Sequence, residues 1–139
     1  MELQERYHHL DQYLDLEVKG PEAIRADCLL AFDYEYPGSD TEVEVSTDEF
    51  TAVCPWTGLP DQGSLTIRYV PNRRCIELKS LKYYLLSYRS VGLVQEHAAN
   101  RVLHDLVQTC DPVQMTVILD YLTRGGIHTV VTVRHPRPE

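Results

Sequence analysis

The chain has 139 residues, 43% of them hydrophobic and 24% charged, which is the composition of one globular domain able to bury a core without staples. Its formal net charge of −8 weighs against a nucleic-acid surface, which needs Lys and Arg to displace counterions, so no direct nucleic-acid partner is expected. No apolar run is long enough to span a bilayer. The acidic opening, with Glu2, Glu5, Asp11, Asp15 and Glu17, lacks the basic and apolar regions of a signal peptide, so no membrane partner and a cytoplasmic location are expected.

Residues 1–30 are predicted to form an N-terminal arm with some helix, broken at Gly20-Pro21, and residues 31–139 a single domain. Strand formers fill residues 28–35, and a turn follows at residues 37–40. Residues 41–46 alternate apolar and charged side chains, as a half-buried strand does. A second strand is predicted over residues 64–70, with Leu65, Ile67 and Tyr69 on one face and Pro71-Asn72 closing it. The period then becomes helical: Leu78, Leu81, Leu85 and Tyr88 fall on one stripe. A second helix spans residues 95–110, with Ala99, Val102, Leu103, Leu106, Val107 and Cys110 as its apolar stripe. Strands at residues 114–121 and 127–133 close the chain around Gly125-Gly126. Two hairpins flanking a helix pair predict an α+β fold, an antiparallel sheet with the helices on one face.

Four cysteines occur without CxxC or HExxH spacing, so no metal site is expected. Cys28, Cys75 and Cys110 have the plain reading of small buried apolar groups. Cys54 differs, because it lies in residues 50–61, read as the loop between the first two main strands, stiffened by Pro55, Trp56, Gly58 and Pro60 and carrying Asp61. A thiol and a carboxyl are the minimum for attack on an electrophilic carbon with proton delivery; the plainer alternative is a buried thiol beside a turn aspartate. Lys79 and Lys82 share a face near a helix N-terminus, where backbone amides also favour phosphate, or they form an ordinary solvated face. Glu96, after Gln95 and before His97, is either a carboxylate facing its helix dipole or an acceptor for the N–H edge of a guanine-like base. Arg124 precedes Gly125-Gly126 in a hairpin turn and is merely exposed on the plain reading.

Residues 50–127 resemble the QueF family, nitrile reductases of the tunnelling-fold superfamily in queuosine tRNA modification. Cys-Pro-Trp-Thr-Gly-Leu-Pro-Asp at Cys54 to Asp61 matches one family motif. Glu-Leu-Lys-Ser-Leu-Lys-Tyr-Tyr, beginning at Glu77, matches the family's cofactor signature, and Arg89, Glu96, Asn100 and Arg124-Gly-Gly-Ile fall in register. The resemblance implies a single-module enzyme reducing 7-cyano-7-deazaguanine to its aminomethyl form with NADPH through a cysteine thioimide. It implies Cys54 as nucleophile and Asp61 as proton donor. Glu77, Leu78, Gln95 and Glu96 would then bind the substrate, and Lys79, Ser80, Lys82 and Arg124 the NADPH. It also implies a homodecamer, two stacked pentamers whose sheets close into a barrel. The chain departs from the family pattern at Gln95, where His is usual, and at Ala98, where a second Cys often stands.

A nitrile carbon is a weak electrophile, so attack needs a thiolate, and an aspartate can deliver a proton near neutrality only where burial favours its acid form. Nitrile to amine is a four-electron change and takes two hydrides, and no GxGxxG follows a strand to hold NADPH in a Rossmann turn. A related amidinotransferase acting on tRNA would share the thioimide, but the Lys79/Lys82 signature and the acidic charge oppose it. A non-catalytic purine or pterin binder would not need both Cys54 and Asp61.

Overall fold

The computed structural model describes residues 2–10 and 16–138. Helix α1 (Leu3–Leu10) buries none of its residues. The rest of the arm makes two short 3₁₀ turns at Pro21–Ala23 and Ala26–Cys28. Then come β1 (Ala31–Asp33), β2 (Val43–Val53), β3 (Pro60–Val70), β4 (Arg74–Ile76), α2 (Leu78–Leu86), α3 (Gln95–Cys110), β5 (Gln114–Tyr121) and β6 (Val130–His135). The main sheet is antiparallel throughout, in the order β2-β3-β5-β6, so two hairpins are joined through β3 and β5. A second sheet pairs only β1 with β4.

The mixed α+β architecture agrees with the sequence reading, and α3 and β5 have the predicted ends. Several boundaries differ: β3 begins at Pro60 rather than at residue 64, β4 was not anticipated, and three further elements change. The strand expected over residues 28–35 shrinks to the three residues that β4 can pair with. Strand β2 runs on past residue 46, because a register shift between Thr47 and Phe50 absorbs the polar Asp48 and Glu49 without ending the ladder. Strand β6 is displaced to residues 130–135, since residues 124–127 close on themselves through paired Arg124 and Ile127 backbone bonds.

One face of the sheet carries the core. Leu65, Ile67 and Tyr69 of β3 and Met115, Val117, Leu119 and Tyr121 of β5 alternate inward and are buried. Ala98, Ala99, Val102, Leu106 and Cys110 of α3 cover them, and Leu81 and Tyr84 of α2 join the same cluster. Each large apolar side chain so buried contributes about 1.5–3 kcal/mol relative to exposure. Two positions of the predicted α2 stripe behave differently: Leu78 is exposed in the first turn, and Tyr88 is buried but lies beyond the helix end.

A buried polar brace ties the two helices together. The Tyr84 hydroxyl donates to Asp105 Oδ2 at 2.6 Å and shares a 2.6 Å bond with the Tyr88 hydroxyl. Arg101 donates to the same Asp105 oxygen at 2.7 Å. Burial pushes both phenols well above their ordinary range, so they remain neutral donors. Asp105→Ala leaves the Tyr84 hydroxyl without its acceptor and Arg101 without its counter-ion. It is expected to cost about 2–3 kcal/mol in chemical denaturation, the range for stranding buried polar partners.

Candidate active site

Strand β2 ends at Val53 and delivers Cys54 to a six-residue loop before β3. Residues 50–53 and Asp61, expected within that loop, instead belong to the two strands. Pro60 sits at the first position of β3, where its missing N–H costs no ladder bond. The loop closes on itself: Cys54 N–H donates to Leu59 O at 2.9 Å and Gly58 N–H to Cys54 O at 2.8 Å. Gly58 has φ +73, a left-handed conformation that disfavours other residues. This fold-back aims donors at the sulfur. The Thr57 hydroxyl, then the backbone N–H groups of Thr57 and Trp56, hold the half-buried Cys54 thiol below its ordinary range. Asp61 is the charged group opposing them.

The second turn of the chain into the site comes from residues 91–93. Val53 N–H donates to Val91 O at 3.0 Å and Leu93 N–H to Val53 O at 3.1 Å, which fixes the start of α3 beside the nucleophile. Gln95 opens α3 and donates from Nε2 to Asp61 Oδ1 at 3.4 Å. Asp61 is 7% exposed and is paired with the Arg124 guanidinium from the β5–β6 turn. Arg124 is therefore not merely exposed: it reaches back to β3 and caps a cavity of about 320 Å³ lined by Pro60, Asp61, Gln62 and Leu122. The Tyr121 hydroxyl donates to Gln95 O at 3.3 Å. Burial and the nearby charges of Asp61 and Glu96 raise its phenol. Glu96 is exposed in the first turn of α3.

The α2 group has a different character. Glu77 is the helix N-cap: its carboxylate accepts from Lys79 N–H at 2.8 Å and Ser80 N–H at 2.7 Å, and these bonds lower its pKa. Buried Ser80 accepts from Leu30 N–H at 3.0 Å and donates to Glu77 O at 2.8 Å. Leu78, Lys79 and Lys82 are exposed. Among the described residues, neither lysine is ion-paired. Leu78, Lys82 and Arg89 line a groove of about 710 Å³ whose other wall is β2 and β3. Gln62 and Leu122 belong to both this groove and the smaller cavity, so the two adjoin.

The structure thus brings Cys54, Asp61, Gln95 and Arg124 together, and leaves Lys79 and Lys82 across a shared border from them. Two contributors went unnoticed in the sequence. Thr57 stands three residues after Cys54, the spacing at which a turn hydroxyl faces back, and Tyr121 gave no local signal. Cys75 and Cys110 are buried as expected, burial pushes the Cys110 thiol up to about 12, and Cys28 is half-buried against Ser80 O. Among the described residues no three His, Cys, Asp or Glu side chains cluster as metal ligands, and no helix is long and apolar enough to cross a membrane.

Fold and site together define an α+β domain with a polarised cysteine in the β2–β3 loop, within the electrostatic influence of a buried carboxylate on β3. The QueF-like protein family model matches residues 60–139. An NADPH-dependent 7-cyano-7-deazaguanine reductase of Caldanaerobacter subterraneus is 50% identical, over 93% of this chain and 98% of that protein. The protein of the same name from Caldicellulosiruptor bescii is 54% identical, over 87% and 92%. The crystal structure of the apo archaeosine synthase QueF-Like superposes with a TM-score of 0.64 at 21% identity, covering 69% of this chain and 94% of that one, a likeness of fold alone. The chain belongs to the QueF-like family.

Proposed function

We propose that this chain is an NADPH-dependent reductase that converts the nitrile of 7-cyano-7-deazaguanine to the aminomethyl group, supplying queuosine synthesis. The observation that carries the reading is the pairing of a thiol held below its ordinary range with a buried carboxylate, in a chain about half identical to reductases of that name. Cys54 Sγ adds to the nitrile carbon, the carbon–sulfur bond forms, and the nitrile nitrogen takes a proton to give a thioimide. Asp61 is the proton donor at that nitrogen; its carboxylate, held in place by Gln95 and paired with Arg124, takes up a proton and loosens that pair before it donates. NADPH, when bound, would supply the two hydrides; after the first, Cys54 leaves as the thiolate to give an imine, and the second, with a further proton on nitrogen, gives the amine. Product analysis after incubation with nitrile and NADPH tests the reaction: the expected product is the primary amine, and recovery of an aldehyde or of unchanged nitrile opposes it.

Glu96 accepts from the N–H edge of the base, beside Gln95 and within reach of Tyr121's surroundings. Glu77 acts on the substrate through its backbone and through the conformation it imposes on Leu78, since both its carboxylate oxygens are committed to the helix cap. The residues near α2 fit a phosphorylated cofactor through their side chains: Lys79 and Lys82 are exposed and unpaired among the described residues and Lys82 lines the groove, while the helix N–H groups of Lys79 and Ser80 are already taken by the Glu77 cap. Lys79 and Lys82 hold phosphate there, and Ser80 fixes the turn that presents them. Lys79→Ala and Lys82→Ala are expected to raise KM for NADPH on the order of tenfold each at low salt, with the difference shrinking as salt rises. Steady-state titrations at two ionic strengths read this.

The assembly is a barrel of two stacked pentamers. Among the described residues, strands β2 and β6 each have one neighbour in the main sheet, so both its edges are open to pairing with other copies. The expected mass in sedimentation is near ten times the 16.0 kDa of the chain, with activity falling on dilution. A fully active monomer contradicts it.

A further inference from the structure

The arm preceding the domain lies against the nucleophile loop. Lys19 N–H donates to Ser90 O at 2.7 Å and Gly92 N–H to Lys19 O at 2.9 Å, so the arm pairs in parallel with residues 90–92. The opposite edge of residues 91–93 is the one bonded to Val53, the residue before Cys54. Three chain segments therefore lie side by side: arm, linker to α3, and end of β2. The side chains of the arm complete the contact. At Gly92 a Cβ would stand 2.7 Å from Val18 Cγ1 and 3.1 Å from Pro55 Cα, so glycine lets Val18 and Pro55 meet over it. At Gly58 a Cβ would stand 2.9 Å from Leu16 Cβ and 3.3 Å from Val18 Cγ2. Both glycines are thus bare on the side the arm covers, and Gly58 is buried although the loop around it is mostly exposed.

The geometry points to a strap: Leu16 and Val18 are positioning residues that clamp the Cys54–Leu59 loop against residues 91–93 and so fix the donors aimed at the sulfur. Gly58 and Pro55 bracket Trp56 and Thr57, whose N–H groups and hydroxyl face Cys54. A loop released on its outer side is held, among the described residues, by the two backbone bonds between Cys54, Gly58 and Leu59 and by the Leu59 N–H bond to Thr57 Oγ1 at 3.2 Å. The strap touches neither substrate nor sulfur; it acts through the loop. It goes beyond the proposed reaction, resting on it only for the role of Cys54.

The test measures Cys54 alkylation by iodoacetamide against pH, by peptide mass, in the full chain and in Val18→Asp, Leu16→Ala/Val18→Ala and Val18→Ile. No nitrile or NADPH is needed, so the result stands whether or not the proposed reaction is correct. In the wild type, alkylation is expected to reach half its plateau below the pH typical of a free thiol, near about 8.5. In Val18→Asp and in the double alanine variant the curve should move to higher pH, slowing alkylation at neutral pH about fivefold or more. Nitrile reduction should lose kcat by on the order of tenfold with KM for NADPH unchanged, and Val18→Ile should restore both. The double alanine variant adds no charge to the arm and covers the case in which Val18→Asp does not fold. An unchanged alkylation curve in a folded double alanine variant, even one with a lowered melting temperature, overturns the strap. So does a wild-type Cys54 that alkylates like a free thiol.

Discussion

Cys54→Ala is expected to abolish turnover and, with it, covalent capture of the nitrile. In the wild type without NADPH, intact-mass spectrometry should show one nitrile added per chain, since the thioimide has no hydride to consume it. The structural ground is specific to this cysteine. Cys75 and Cys110 are buried, and burial raises the Cys110 thiol; Cys28 is half-buried and burial raises it too. Only Cys54 is held below its ordinary range, by the Thr57 hydroxyl and the turn amides. The sign follows: a lowered thiol pKa makes thiolate available at lower pH, so adduct formation should level off at a lower pH than free-thiol chemistry does. An adduct that persists on Cys54→Ala moves the nucleophile elsewhere. Thr57→Val keeps shape and removes the hydroxyl, and the same adduct-against-pH curve reads its loss.

Asp61→Asn has the second largest expected effect, a fall in kcat of about a hundredfold or more, as for loss of a general acid. The substitution keeps size and still accepts from Gln95, but it removes the carboxyl group that pairs with Arg124 as a carboxylate and donates a proton only in its acid form. Binding of nitrile to the variant, followed by its fluorescence or by mass, should persist, so the loss falls on kcat. Comparison with Arg124→Ala separates the two functions of the carboxyl group. If Asp61 works as a donor whose orientation depends on its partners, Arg124→Ala retains part of the activity that Asp61→Asn loses. Near-normal kcat in Asp61→Asn removes Asp61 from the mechanism.

Local pattern carried much of the fold. Helix α3 and strand β5 were legible to the residue because their apolar periods are uninterrupted and Gln95 and Gln114 follow non-repeating segments. Strand β2 was not, because a bulge carries it through Asp48 and Glu49, and a bulge looks like a strand end in one dimension. The site divides in the same way. Cys54 and Asp61 share one short motif, whereas Arg124 meets Asp61 across 63 positions, so a turn arginine gave no sign of its partner. Glu77 was read only as a substrate-binding residue, and since Glu lies outside the usual N-cap set of Ser, Thr, Asp and Asn, the cap it makes showed no sign in the sequence. The arm was the least legible part. Its contacts with Gly58 and Gly92 depend on what those glycines lack, which no pattern of side chains displays.

Counting the nicotinamide oxidised per molecule of nitrile consumed tests the central claim most directly. A four-electron reduction through Cys54 requires two NADPH for each 7-cyano-7-deazaguanine converted to the amine, followed by loss of nicotinamide absorbance against product formed. The expected ratio is two, with no consumption in Cys54→Ala. A ratio of one, or amine formed without NADPH oxidation, contradicts the account.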